Sequence, residues 1–152
     1  MTNTEYVRDI FSILHDGTIV EWTGNKDFLT LKIGCQYLAE KLDPTFEYFF
    51  IDLIDISKLA LVPWMNPITL EQEYFVELKD VLQAELDILS AEIDNDSVKI
   101  SCTQRDSNFH FCGGALYINC KGSKVYDQNK NEVAIDKLHQ ICNEYWDEFG
   151  RQ

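Results

Sequence analysis

Three histidines and five cysteines are the side chains best suited to chemistry in this sequence, and their spacing limits what they can do. Histidine catalysis needs a nucleophile and an orienting acid close in space. His15 has Asp16 beside it, but the pair ends an apolar helical pattern, where an imidazole near the last carbonyls already has a capping role. His139 lies between Leu138 and Ile141 of the last helical pattern and reads as a boundary or surface residue. His110, Cys112 and Cys120 are the set that zinc or a thiol mechanism would use. They contain no C-x-x-C or H-x-x-x-H pair, and Cys102 and Cys120 fit apolar strand positions. No metal site and no catalytic set is therefore expected.

Other motifs fail in similar ways. Asp127-x-Asn129-x-Asn131 matches the opening of a calcium loop, but Glu132 stands where the loop needs glycine and Leu138 where it needs glutamate. No phosphate-cradling glycine loop or nucleophile elbow occurs, and Gly113-Gly114 reads as a bend inside strand-like sequence. Asp52 and Asp55 are three apart in a strand, so they point to opposite faces. No cofactor is implied.

The acids gather regionally instead. Asp80, Glu85, Asp87, Glu92, Asp94 and Asp96 fall in a stretch, 80–98, that holds no Lys or Arg. Ala84, Leu86 and Ile88 alternate with polar residues, and then the phase flips to Leu89, Ala91 and Ile93. A one-residue slip in a period of two is what a β-bulge produces, so a bulge is expected near Ile88-Leu89. It would bring Glu85, Asp87, Glu92 and Asp94 to one solvent face, with Asp96 at the following turn. Such a face protects a strand edge and also steers a basic partner.

The elements that must position these residues follow from periodicity. Thr2–Leu14 reads as a helix with a Thr2-x-x-Glu5 capping box and a stripe of Tyr6, Val7, Ile10, Phe11 and Leu14; Gly17 is expected in the left-handed position after it. Strands are expected over Thr18–Thr23, Phe28–Leu38, Phe46–Asp55 and Leu59–Trp64, the last stopped by Pro63 and Pro67. A helix is expected over Thr69–Leu82. Beyond the acidic strand come a turn at Asn95-Asp96-Ser97 and a strand from Val98; Phe109–Cys112 and Ala115–Cys120 are two short strands or one strand bent at Gly113-Gly114, and Ser123–Tyr126 follows a turn at Lys121-Gly122. Val133–Phe149 is the final helix, striped by Ile135, Leu138, Ile141, Cys142, Tyr145 and Phe149. The expected fold is α+β: a largely antiparallel sheet with N-terminal, central and C-terminal helices.

Composition narrows function further. The 152 residues form one expected domain, 1–152, with 13 basic against 26 acidic residues and a net charge of −13. That charge excludes a protein whose main work is gripping nucleic-acid backbone. No apolar run is long enough for a membrane helix, and Met1–Tyr6 lacks the features of a signal peptide. An odd number of cysteines fits reduced thiols in the cytoplasm.

Leu14-His15-Asp16-Gly17-Thr18-Ile19, the alternation Leu29-Thr30-Leu31-Lys32-Ile33, and the closing Val125-Tyr126-Asp127 and Tyr145-Trp146 resemble small bacterial proteins with an "LHDG" start. Some proteins of that style resemble immunity proteins of toxin systems. The resemblance covers the two ends of the chain and carries no catalytic residue. It implies a bacterial, immunity-like protein, while the charge balance and the missing catalytic set point to non-enzymatic binding. The expected function is an immunity- or antitoxin-like protein docking a basic protein partner through Glu85, Asp87, Glu92, Asp94 and Asp96. The alternative is a small-ligand binder, with Trp22 and Trp64 near an apolar pocket between sheet and helix.

Overall fold

In the computed structural model, which describes residues 1–65 and 73–150, the chain begins with α1 (Asn3–Ile13), β1 (Thr18–Gly24), β2 (Phe28–Gly34) and α2 (Gln36–Ala39). It continues with β3 (Tyr48–Met65), α3 (Leu78–Val81), β4 (Leu86–Asp94), β5 (Ser97–Thr103), β6 (Phe111–Tyr126) and α4 (Ile135–Gly150). The fold is α+β. Every strand pairing is antiparallel, and the strands close into a barrel in the order β1-β2-β3-β6-β5-β4.

Alternation sets the inner face. Leu29, Leu31 and Ile33 of β2 lie opposite Leu53, Ile51 and Phe49 of β3, and all six are fully buried or nearly so. Val98, Ile100 and Cys102 of β5 continue that lining, with Leu116 and Ile118 of β6. α1 packs against β4, β5 and β6, and α4 packs against α1 and α2. The stripe of α1 is core: Val7, Ile10, Phe11 and Leu14 are buried. Thr2 Oγ1 accepts the Glu5 N–H at 3.1 Å, as the capping motif requires.

Several expected elements differ. Gly17 does not take the left-handed position; Asp16 does, at φ 68°. Glycine is needed at 17 for a different reason, since a Cβ there would lie 2.8 Å from the Leu14 carbonyl oxygen and 3.1 Å from that of Gly34. The strand expected over Phe28–Leu38 ends at Gly34, and Gln36–Ala39 makes a short helix that buries Leu38 and Ala39. The two strands expected either side of Asp55 are one 18-residue strand, β3, which bends where Asp55 takes φ 51°.

Pro63 does not stop β3. Leu61 exchanges backbone hydrogen bonds with Phe75, on the edge away from β6. Pro63, two residues on, faces the same edge, so its missing N–H costs no bond to β6. Of the two readings of Phe109–Cys120, the single strand holds, and it runs on through Ser123–Tyr126 as β6; Lys121-Gly122 is no turn, since Gly122 pairs with Ile54. Of the helix expected over Thr69–Leu82, and of the stop at Pro67, residues 66–72 lie outside the described residues. Phe75 instead bridges Leu61 as extended chain, and only Leu78–Val81 makes a helical turn.

Candidate functional site

The acidic surface is built on a two-residue hairpin. Asn95 takes φ 56°, which suits a tight turn, and Asp94 lies opposite Ser97. Register then places Glu92 opposite Lys99, Ala91 opposite Ile100 and Ser90 opposite Ser101, after which it shifts between Ile88 and Ser90. Leu89 is the extra residue, so the bulge lies where the phase flip puts it. Ile93, Ala91 and Ile88 share the inner face with Val98, Ile100 and Cys102, while Asp87, Glu92 and Asp94 share the outer one.

The five acids differ in surroundings. Glu85, Glu92 and Asp96 are exposed, whereas Asp87 and Asp94 are half-buried, against the expectation that all are open to solvent. Asp87 Oδ1 accepts the Thr18 hydroxyl at 2.6 Å, and Oδ2 lies 2.7 Å from Arg105 Nε. Only 17% of the Asp87 side chain is exposed, so this acid is occupied within the fold. With Glu85, Gln104 and Asp106 it lines a recess of about 260 Å³. Glu92 lies 3.7 Å from Lys99, and Asp94 lines a second recess, of about 360 Å³, with Lys58, Tyr74 and Tyr117. Arg105, Lys99 and Lys58 are the functional neighbours that a count along 80–98 misses. Lys99 was findable, because a two-residue turn at Asn95-Asp96 fixes it opposite Glu92.

Distance divides the surface. Glu85 and Asp94 are nine positions apart on extended chain, roughly 30 Å at the strand rise. The screening length in physiological salt is about 8 Å. Glu85 therefore acts apart from the group Glu92, Asp94 and Asp96 at the hairpin end.

The chemistry-bearing residues have structural employment. His15 Nδ1 lies 2.7 Å from the Ser12 carbonyl oxygen, and its ring stacks on Trp146 at 5.4 Å. The Tyr37 hydroxyl donates to the His15 carbonyl at 2.7 Å, and the Tyr37 ring meets Tyr145 at 4.5 Å. The chain's two ends thus meet through an aromatic cluster. His139 Nε2 lies 3.5 Å from Asp9 Oδ2 and links α4 to α1. His110 Nε2 faces Glu73 at 3.3 Å on the surface. Cys112 and Cys120 are eight residues apart along β6, roughly 25 Å, so they cannot share an ion. Among the described residues, no group of three or more His, Cys, Asp or Glu is placed to hold a metal.

All five cysteines are free, with Cys35 and Cys102 buried. Burial pushes both thiols up to about 12 from the ordinary 9.0, which keeps them protonated and poor nucleophiles. Cys112 is exposed. With iodoacetamide at about pH 8, Cys112 is expected to label in the folded chain, and Cys35 and Cys102 only on unfolding. Peptide mass mapping before and after denaturant checks this; fast labelling of Cys102 in the folded chain would refute its burial. Because both folded-state values are raised, the stability these groups contribute is complete below pH 9 and is lost as pH rises towards 12.

Among the described residues, Trp22 and Trp64 do not frame a pocket between sheet and helix. Trp22 lines a recess of about 140 Å³ with Phe50, Lys32 and Lys130, where Lys130 Nζ stands 3.2 Å from the centre of the Phe50 ring. Trp64 lies exposed near the end of β3. No family model, curated protein or solved structure matches this chain, so its surface chemistry must carry the functional reading.

Proposed function

We propose that this chain is a non-enzymatic binding protein, immunity- or antitoxin-like, whose acidic β4 surface occupies a basic protein partner. The observation that carries the reading is the register of β4, which turns Glu92 and Asp94 outward beside Asp96 at the hairpin tip. Lys99 lies 3.7 Å from Glu92, whose side chain stays largely exposed. A net charge of −13 adds a long-range field that favours encounter with a basic surface. Asp87 adds little to this field, because Arg105 takes up its charge.

Replacing Glu85, Glu92, Asp94 and Asp96 together with serine tests this. Folding should be nearly unchanged, because three of the four are exposed and the half-buried Asp94 has no ion pair among the described residues. The immobilised wild-type chain should retain a basic protein from an extract of its source cells at low salt and release it at high salt. The quadruple variant should not retain it. A retained protein that is indifferent to all four replacements would leave the acids as a solubility device and remove the reading.

A further inference from the structure

We propose that the partner docks by adding a strand to the open edge of β4, and that the added segment is extended and alternates basic with apolar residues. This rests on the acidic-surface reading and gives it a binding mode. The barrel seam is short: β1 pairs with β4 only at Thr18–Asp87 and Ile19–Leu86. One step further, the Ile88 N–H donates to the Gly17 carbonyl and the Asp16 N–H donates to the Ile88 carbonyl, both at 2.8 Å. The chain on that side then belongs to α1, and β4 continues to Asp94 with β5 as its only strand neighbour among the described residues.

Hairpin geometry identifies the open groups. In a two-residue hairpin the flanking pair, here Asp94 and Ser97, is hydrogen-bonded, and the pairs alternate from there. Asp94, Glu92 and Ser90 thus bond to β5, while the backbone groups of Ala91 and Ile93 point away from it. Ser12 Oγ of α1 donates to the Ala91 carbonyl at 3.4 Å, which agrees with this direction and shows that α1 occupies the edge there, so the open part runs from Ile93 to the hairpin. Among the described residues, nothing else bonds to the Ala91 N–H or to the N–H and C=O of Ile93.

Side chains at this edge define what would sit there. A bulge and outward acids are the usual guards of a sheet edge. An edge that is only guarded has no use for apolar side chains in water, yet Leu89 is 46% and Ile93 39% exposed. Ile93 lies on the inner face and Glu92 and Asp94 on the outer one. A strand laid alongside would set alternate residues against apolar and acidic neighbours. A second copy of this chain is a poor occupant, because it would place Glu92 and Asp94 against like charges.

The probe is a short synthetic peptide alternating Lys and Val, followed by backbone amide spectra and hydrogen exchange of the full chain. Exchange at Ile93 should slow on binding. Methylating the peptide nitrogens that face β4 removes those hydrogen bonds without touching the protein, and should weaken binding about tenfold or more. Ile93→Pro removes the edge N–H while sparing the β5 ladder, and should do the same. An affinity unchanged by methylation would overturn edge pairing and leave the acidic-surface reading standing. Failure of the Lys/Val peptide to bind at low salt would also overturn it, with the serine variants then judging the acids alone. If a Glu/Val peptide bound as well as Lys/Val, with the same protection, edge pairing would stand and the acidic reading would fall.

Discussion

Truncating Leu138 or Ile141 to alanine is expected to cost about 2–5 kcal/mol each, the usual range for a large aliphatic side chain removed from a core that cannot collapse around the gap. Both side chains are fully buried, and they are one helical turn apart on the face that α4 turns to α1 and α2. The remainder of α4 offers no substitute: Trp146 and Phe149 are partly in solvent, and its other face is charged. Equilibrium urea unfolding, with Gln140→Ala as an exposed control on the same helix, measures the difference. Gln140 makes a surface hydrogen bond to Glu144, and its loss should cost only a few tenths of a kcal/mol. A chain ending near Asn131 should be insoluble, because it uncovers α1. Losses below about 1 kcal/mol at both buried positions would mean that α4 does not close the core.

The helices with strong local signals were legible. α1 and α4 each carry a stripe at helical spacing, and Thr2 caps α1 through a bond that the sequence motif specifies. The β4 bulge was legible for the same reason, since a phase flip in alternation is local information. Features that depend on the barrel were not. β3 and β6 each run through residues that locally signal a break, Pro63 in one and Lys121-Gly122 in the other. A long strand in a small barrel must coil, and bends at Asp55 or opposite Gly122 supply that coiling rather than ending the strand. Tyr74-Phe75-Val76 follows its strand propensity because the edge of β3 at Leu61 is there to receive it.

The same limit applies to the candidate surface. Reading along the chain found Glu85, Glu92, Asp94 and Asp96 but treated Asp87 as their equal. Its partners, Thr18 and Arg105, come from β1 and from the segment after β5, so only the assembled sheet shows that this carboxylate is engaged. Charge counted along the sequence overstates the free acidity of a strand whenever its neighbour in the sheet carries cations.

Gly113→Ala should be the most damaging glycine substitution in β6, at roughly 2–5 kcal/mol. β6 lies between β3 and β5, and Gly113 is paired on both sides, with Trp64 and with Thr103. Its φ of 153° is one that residues with a side chain rarely adopt. An added Cβ would also lie 2.2 Å from the Cys102 carbonyl oxygen and 2.8 Å from the Thr103 Cα, both backbone atoms of the neighbouring strand. Backbone strain of about 1–3 kcal/mol adds to an overpacking cost of similar size. Gly122→Ala in the same strand is the control, since its Cβ would meet nothing closer than the Ile54 side chain at 3.6 Å. Relieved of glycine's entropy, that variant should be neutral or gain up to about 1 kcal/mol. Comparing the two by urea unfolding separates a true pinch from a general cost of filling glycines; equal effects would refute the close approach at Gly113. A functional consequence follows from position. Thr103, Gly113's partner, stands two residues before Arg105, so pushing β5 away loosens the ion pair that occupies Asp87. The Gly113→Ala chain, where it still folds, should therefore present one more free acid at the base of the β4 surface.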